Sequence, residues 1–257
     1  MSAAGTVDGK HALVTGGGSG VGKAIALALA EAGVTVTICG RREAELAKVA
    51  RASDRILGIA ADVTDEASMA VLYQQAEAAR GPFDIVVANA GMAGSAPAHK
   101  TALADWQRTL DVNLTGAFLT VKPALAGMLG RKTGRIVFVA STAGLKGYSY
   151  VAPYVAAKHG VVGLMRALAA ETAKSGVTVN AVCPGFVDTD MLEESVQRIV
   201  EKTGRSAEEA RQSLSAANPQ GRFIQPDEVA AAVLWLCSDA ARSITGQAIS
   251  ISGGETW

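Results

Sequence analysis

Seven short runs of apolar and β-branched residues recur along this chain, separated by longer alanine-rich segments, and this alternation restricts the fold more than any other feature. The runs are HALVTG (11–16), VTVTIC (34–39), RILGIAA (55–61), DIVVANA (84–90), GRIVFVA (134–140), VTVNAVCPG (177–185) and QAISISGG (247–254). Segments of helical length and spacing lie between them, at 20–32, 41–50, 65–80, 101–129, 152–175 and 226–238. Strands that are apolar on both faces, alternating with helices, predict a doubly wound α/β fold with a parallel sheet covered on both sides. Ligands of such sheets bind beyond the carboxyl ends of the strands, so the chemistry is expected just after each run. With no repeat and no Pro/Gly/Ser linker, residues 1–257 read as a single domain.

One segment breaks the pattern. Residues 190–217 are expected to insert about two helices between the sixth and seventh strands. Leu192, Val196 and Ile199 keep helical spacing, and Ser206 with Glu209 forms a capping box that starts the second helix. A polar insertion tethered at both ends near a ligand edge reads as a lid.

Composition excludes several classes. Apolar residues make up 49% of the chain and charged residues 19%, with a formal net charge of zero. Disorder and electrostatic capture of nucleic acid or an anionic membrane are therefore not expected. Cys39, Cys183 and Cys237 lie far apart in apolar runs, as buried thiols of a reducing compartment do. The N-terminal residues lack the charged region and apolar core of a signal peptide, and the apolar runs are interrupted short of a membrane span. A cytoplasmic protein is expected. His11, His99 and His159 have no partner at ligand spacing, so no metal is expected.

After the first run comes VTGGGSGVGKAIALALAEAG, where Gly16, Gly20 and Gly22 are spaced GxxxGxG around Ser19 and Val21. Glycines allow a tight turn and close backbone approach, and unpaired N–H groups at a helix start meet a diphosphate. This is a nucleotide-binding turn of the Rossmann-like kind. The second run ends in ICGRRE, with Gly40 at the strand end followed by Arg41 and Arg42. An acid near this point would hold ribose hydroxyls, whereas arginine pairs with a 2′-phosphate. The arginines favour NADP(H). NAD(H) stays open, because Glu43 could serve as the ribose acid.

The run APYVAAKHGVVGLMRAL places Tyr154 and Lys158 four residues apart, on one helix face. A cation ~5 Å from a phenol, at an effective dielectric of ~20, stabilises the phenolate by ~3 kcal/mol. That would bring the phenol toward the pH range where proton transfer is efficient. Ser141 ends the run RIVFVAS, ANAG (88–91) ends the fourth strand, and Asn113 stands inside a helical segment where asparagine is a mediocre helix former.

Together TGGGSGVG, Asp62–Val63, ANAG, Asn113, Ser141, the Tyr154–Lys158 pair and PGFVDT from Pro184 resemble the short-chain dehydrogenase/reductase family, in its order and over essentially the whole chain. The resemblance implies that Tyr154 is the acid/base and that Ser141 holds the substrate oxygen. Lys158 would bind the nicotinamide ribose and lower the tyrosine pKa, and Asn113 would support a water relay to Lys158. Asp62 and Val63 would contact adenine and Asn89 would lie beside the adenosine ribose. In the Pro184–Gly185 segment, Val187 and Thr189 would hold the nicotinamide amide and the phosphate. Ser19 stands where many NADP-using members carry a basic residue, which leaves the 2′-phosphate to Arg41.

Within the family the chain resembles ketoreductases of 3-oxoacyl thioesters, those of aromatic polyketide pathways included, and also 3-hydroxybutyrate dehydrogenases. The leading expectation is NADP(H)-dependent reduction of a ketone. An NAD(H)-linked dehydrogenase of a secondary alcohol or 3-hydroxy acid, and a nucleotide sensor without turnover, are the alternatives. Lys146, Arg198 and Arg205 are candidates to meet a pantetheine phosphate or an acidic carrier. The resemblance also implies a homotetramer or homodimer, packed partly through 101–129 and 152–175.

Overall fold

The structure, a computed structural model, describes residues 7–256; residues 1–6 and 257, the ends of the expected domain, lie outside the described residues. All seven runs are strands: β1 His11–Thr15, β2 Thr35–Gly40, β3 Ile56–Ala60, β4 Ile85–Ala88, β5 Gly134–Val139, β6 Val177–Pro184 and β7 Ala248–Ile251. They form one parallel sheet in the order β3-β2-β1-β4-β5-β6-β7. The order reverses between β1 and β4, and a crevice opens there because successive connections leave in opposite directions.

Nine α-helices cover the sheet among the described residues: α1 Gly20–Glu31, α2 Glu43–Ala50, α3 Glu66–Arg80, α4 Leu103–Leu110, α5 Gly116–Arg131, α6 Ala152–Thr172, α7 Asp190–Thr203, α8 Ala207–Ser215 and α9 Pro226–Cys237. The strand pleat sends alternate residues into two cores. Leu13, Val86, Ile136 and Phe138 face α3, α5 and α6, while Ala12, Val14, Val87 and Val137 face α1, α2 and α9.

The segment expected as one helix over 101–129 is α4 and α5 joined by a π-helical turn, Asp111–Thr115. Asn113 therefore stands in a widened turn and not in a regular helix, and such π-bulges are frequent at functional sites. Leu103–Arg131 is long and apolar enough to cross a membrane. It is a core helix, however: Val121, Ala124 and Met128 pack onto the sheet.

The two helices expected in 190–217 are α7 and α8. Ser206 Oγ accepts from the Glu209 N–H at 3.2 Å, and Glu209 accepts from the Ser206 N–H at 2.8 Å, so the capping box is complete. Gly204, at φ +70°, takes the left-handed conformation that ends α7. Arg211 pairs with Asp188 and Glu193, tying α8 to the start of α7.

Candidate active site

A cleft of about 1580 Å³ runs along the carboxyl ends of the strands. Pockets for a single drug-sized molecule are about 300–1,000 Å³, so this one has room for a dinucleotide and a second ligand. Every residue expected at the site lines it: Gly16, Ser19, Gly20, Val21 and Gly22; Arg41, Arg42, Asp62 and Val63; Asn89, Asn113, Ser141, Tyr154 and Lys158; Pro184, Gly185, Val187 and Thr189.

The glycine turn is shaped by close approach. A Cβ on Gly22 would stand 2.3 Å from the Gly16 carbonyl oxygen and 2.4 Å from Asn89 Nδ2. Asn89 is the brace: its Nδ2 donates to the Thr15 carbonyl at 2.8 Å, and Thr15 Oγ1 accepts from the backbone N–H groups of Asn89 and Ala90. Its amide donors thus serve the loop and the switch point, a use the motif alone did not reveal. Ser19 is the N-cap of α1, yet its hydroxyl makes no capping bond to the helix and accepts instead from Arg42 Nη2 at 3.1 Å. No acidic side chain stands in the first turn of α1. Free helix-start N–H groups in a cradle that a Cβ would fill fit a diphosphate. Gly22→Ala is expected to weaken binding of the nicotinamide dinucleotide at least tenfold, because backbone must move to admit the methyl group. Gly130→Ala, with nothing within 4 Å of its Cβ, should leave binding unchanged. Fluorescence titration of the bound cofactor checks both.

At the adenosine end, Asp62 accepts from the Thr64 N–H at 2.9 Å and the Thr64 hydroxyl at 2.8 Å. Those two bonds, with Arg41 adding a smaller contribution, hold its carboxyl below the usual range.

The reacting end is built by three elements. β5 delivers Ser141, whose Oγ accepts from the Ala143 N–H at 3.1 Å and caps a short 3₁₀ turn. α6 presents Tyr154 and Lys158 on one face, with Lys158 Nζ 5.6 Å from the Tyr154 ring centroid. The π turn presents Asn113, whose Nδ2 donates to the carbonyls of Met92 and Thr109, both at 2.9 Å, and whose Oδ1 accepts from the Met92 N–H at 3.2 Å. Asn113 and Lys158 both border Gly91.

The electrostatics differ from the sequence expectation. Burial pushes the Tyr154 phenol above its ordinary value, and the nearby Ser141 hydroxyl draws it back only in part. The net shift is upward although Lys158 lies beside the ring. The lysine is itself buried, 4% exposed, and burial lowers its pKa to about 8. Its Nζ donates to the Val139 carbonyl at 2.8 Å. Desolvation disfavours the charged form of both groups, and here it outweighs their attraction.

Lys146, expected at the mouth, does not line the cleft and is not available for a phosphate: its Nζ is 3.0 Å from Glu255, whose side chain is 2% exposed. Arg198 donates to the Ala93 carbonyl and to Ser195, and Arg205 lines the cleft. Sequence reasoning missed Lys202, which donates to the Ser95 carbonyl at 2.7 Å, and Tyr148, a wall residue beside Ser141. His11, His99 and His159 do not line the cleft. His11 is instead buried between the Gly81 carbonyl and Thr37 Oγ1.

Comparison with known proteins agrees with this geometry. A family model described as short chain dehydrogenase matches residues 10–200. The D-beta-hydroxybutyrate dehydrogenase of Cupriavidus necator is 39% identical, over 96% of this chain and 98% of its own. The acetoacetyl-CoA reductase of Shinella zoogloeoides is 38% identical, over 95% and 97%. A crystal structure of an actinorhodin polyketide ketoreductase variant with NADPH superposes at a TM-score of 0.93, with 39% identity, over 97% of this chain and 98% of that one. Fold and sequence thus match along nearly the full length, and the chain belongs to the short-chain dehydrogenase family, as an NAD(P)-dependent oxidoreductase acting on CH–OH and C=O groups.

Proposed function

We propose that this enzyme reduces a ketone with NADPH and that its substrate is a 3-oxoacyl thioester. The observation that carries the reading is the convergence of Ser141, Tyr154 and Lys158 at one end of a cleft whose other end holds Arg41 and Arg42. The dinucleotide, when bound, supplies the hydride. Ser141 Oγ holds the ketone oxygen and the Tyr154 phenol delivers the proton to it, so charge on that oxygen is quenched as it forms. Lys158 binds the nicotinamide ribose hydroxyls with the ammonium donors that Val139 leaves free. Asn113 orders the water that returns a proton toward Lys158.

NADPH over NADH is supported by the Arg42–Ser19 bond, which orients a guanidinium at the β2 end, and by the NADPH in the related structure. A thioester is supported by the acetoacetyl-CoA reductase relative and by α7. There Arg198 and Lys202, followed by Arg205 past the helix end, line the cleft at helical spacing and form no ion pair among the described residues. These three cations suit the phosphate of a pantetheine arm. The α7–α8 pair acts as a lid over this end. Exposed Leu103, Phe118 and Leu129 on α4 and α5 suit a homodimer or homotetramer interface. The setting is the cytoplasm.

The second reading, an NAD-linked dehydrogenase of a 3-hydroxy acid, is favoured by the D-beta-hydroxybutyrate dehydrogenase relative and by the absence of a basic residue at Ser19. Initial rates of acetoacetyl-CoA reduction with NADPH and NADH at equal concentration separate the two. NADPH is expected to be faster by tens of times, as one charge-assisted arginine bond of about 1.5–3 kcal/mol would give. Faster reduction with NADH would sink the arginine assignment and favour the second reading.

A further inference from the structure

Glu255 lies beyond β7, 107 residues along the chain from Tyr148. Its side chain is nevertheless 2% exposed, and its Oε1 takes both the Tyr148 phenol and Lys146 Nζ. A phenol has one proton, and a carboxylate is a stronger acceptor than a hydroxyl. The 2.6 Å contact between Tyr148 and Thr142 is therefore made by the Thr142 hydroxyl donating to the phenol oxygen. Burial and then Glu255 push the Tyr148 phenol well above its ordinary value, so it stays protonated. Lys146 Nζ also lies 5.0 Å from the centre of the Tyr148 ring. The other carboxylate oxygen rests against Gly185, 3.1 Å from where a Cβ there would stand.

This cluster backs the wall of the reacting end. Thr142 follows Ser141 directly, and Tyr148 lines the cleft with Ser141 and Tyr154. Within the segment 141–151, Ser141–Ala143 and Tyr148–Val151 line the cleft, and Lys146, the one charged residue of the segment, stands outside that lining against the Tyr148 ring. Unpaired, its ammonium against that ring would favour a substrate carboxylate on the cleft side of Tyr148, and Glu255 offsets that charge. Tyr148 has likewise spent its proton on Glu255, and offers substrate no donor.

We infer that Glu255 is a specificity-determining positioning residue: by neutralising Lys146 and fixing Tyr148, it makes the wall beside Ser141 accept an uncharged neighbour of the ketone, an ester or thioester, in preference to a free carboxylate. This rests on the ketone-reductase reading and deepens it. The Lys146–Glu255 pair behind the wall carries no net charge, while the cations on α7 leave a distal phosphate welcome.

The test measures binding, not turnover. Protein saturated with NADP⁺ is titrated with methyl acetoacetate and with acetoacetate, both already at the oxidised level. The wild type should bind the ester more tightly. Glu255→Gln should shift the ratio of dissociation constants toward the acid by about fivefold, the scale of one partly exposed charge contact. Adding Lys146→Gln to that variant should restore the ratio. Lys146→Gln alone, which leaves Glu255 unneutralised, should move the ratio further against the acid, and it keeps the test available if Glu255→Gln does not fold. An unmoved ratio in the single variants, or an equal shift with and without Lys146, overturns this assignment alone. Binding of neither ketone by NADP⁺-loaded wild type counts against the reductase reading itself, and overturns both.

Discussion

Tyr154→Phe is expected to cut turnover by about 10³-fold while leaving NADPH affinity within about twofold of wild type, since positioned proton transfer contributes about 10²–10⁴. The substitution removes one atom. The phenylalanine ring keeps the place between Ser141 and Lys158, and the Lys158 bond to the Val139 carbonyl is untouched. What disappears is the only proton that the wall offers the ketone oxygen, because Tyr148 has committed its own to Glu255 and the Ser141 hydroxyl is a far weaker acid. The raised phenol of Tyr154 means that the proton is in place through the neutral range before substrate arrives. Initial rates with acetoacetyl-CoA and fluorescence titration of NADPH measure the two halves of the expectation. Loss of both would show that the phenol holds the cofactor site together. Loss of neither would show that the proton comes from another group, and NADPH binding by a wild type without turnover would favour a nucleotide sensor.

What the sequence made legible follows from local chemistry. The seven strands were readable because each is apolar on both faces, and the Ser206–Glu209 cap because its two partners are three residues apart. That Asn113, Ser141, Tyr154 and Lys158 would share one cleft was readable because strand ends and one helix face carry them in the order that the family resemblance marked. Three features were hidden for physical reasons. The π turn at Asp111–Thr115 inserts a widened turn without breaking the apolar spacing of 101–129, so the segment reads as one helix. The sign of the Tyr154 shift depends on burial, which spacing does not report, and a Coulomb estimate between two neighbours omits the desolvation of both. Glu255 lies after the last strand and reaches Tyr148 and Lys146 only because β7 sits next to β6 at the cleft. Without that pairing, Lys146 looked like a free cation.

Lys158→Met should pull activity and stability in opposite directions. Losing the ammonium removes the ribose donors and the cation beside the phenol, and turnover should fall by about 10²–10³. Stability at pH 7 should rise. The lysine pKa falls from 10.5 to about 8 on folding, which corresponds to a cost of about 3 kcal/mol for keeping the buried group charged. Methionine fills a similar volume without charge, but leaves the Val139 carbonyl without the lysine as donor, a loss of about 1–2 kcal/mol. The net gain is about 1–2 kcal/mol. Its pH dependence identifies the cause. Below pH 8 the lysine is protonated in both folded and unfolded chains, so the full cost is present. Between pH 8 and 10.5 the folded protein gives up the proton first, the cost is relieved, and the wild type gains on the variant. Above that range only the lost hydrogen bond remains, so the wild type should be the more stable. Urea unfolding of both proteins at pH 7 and at pH 10.5 measures the gap, and groups common to both cancel. A gap of constant size would mean that the surroundings of Lys158 offset its burial, so that its pKa does not fall on folding.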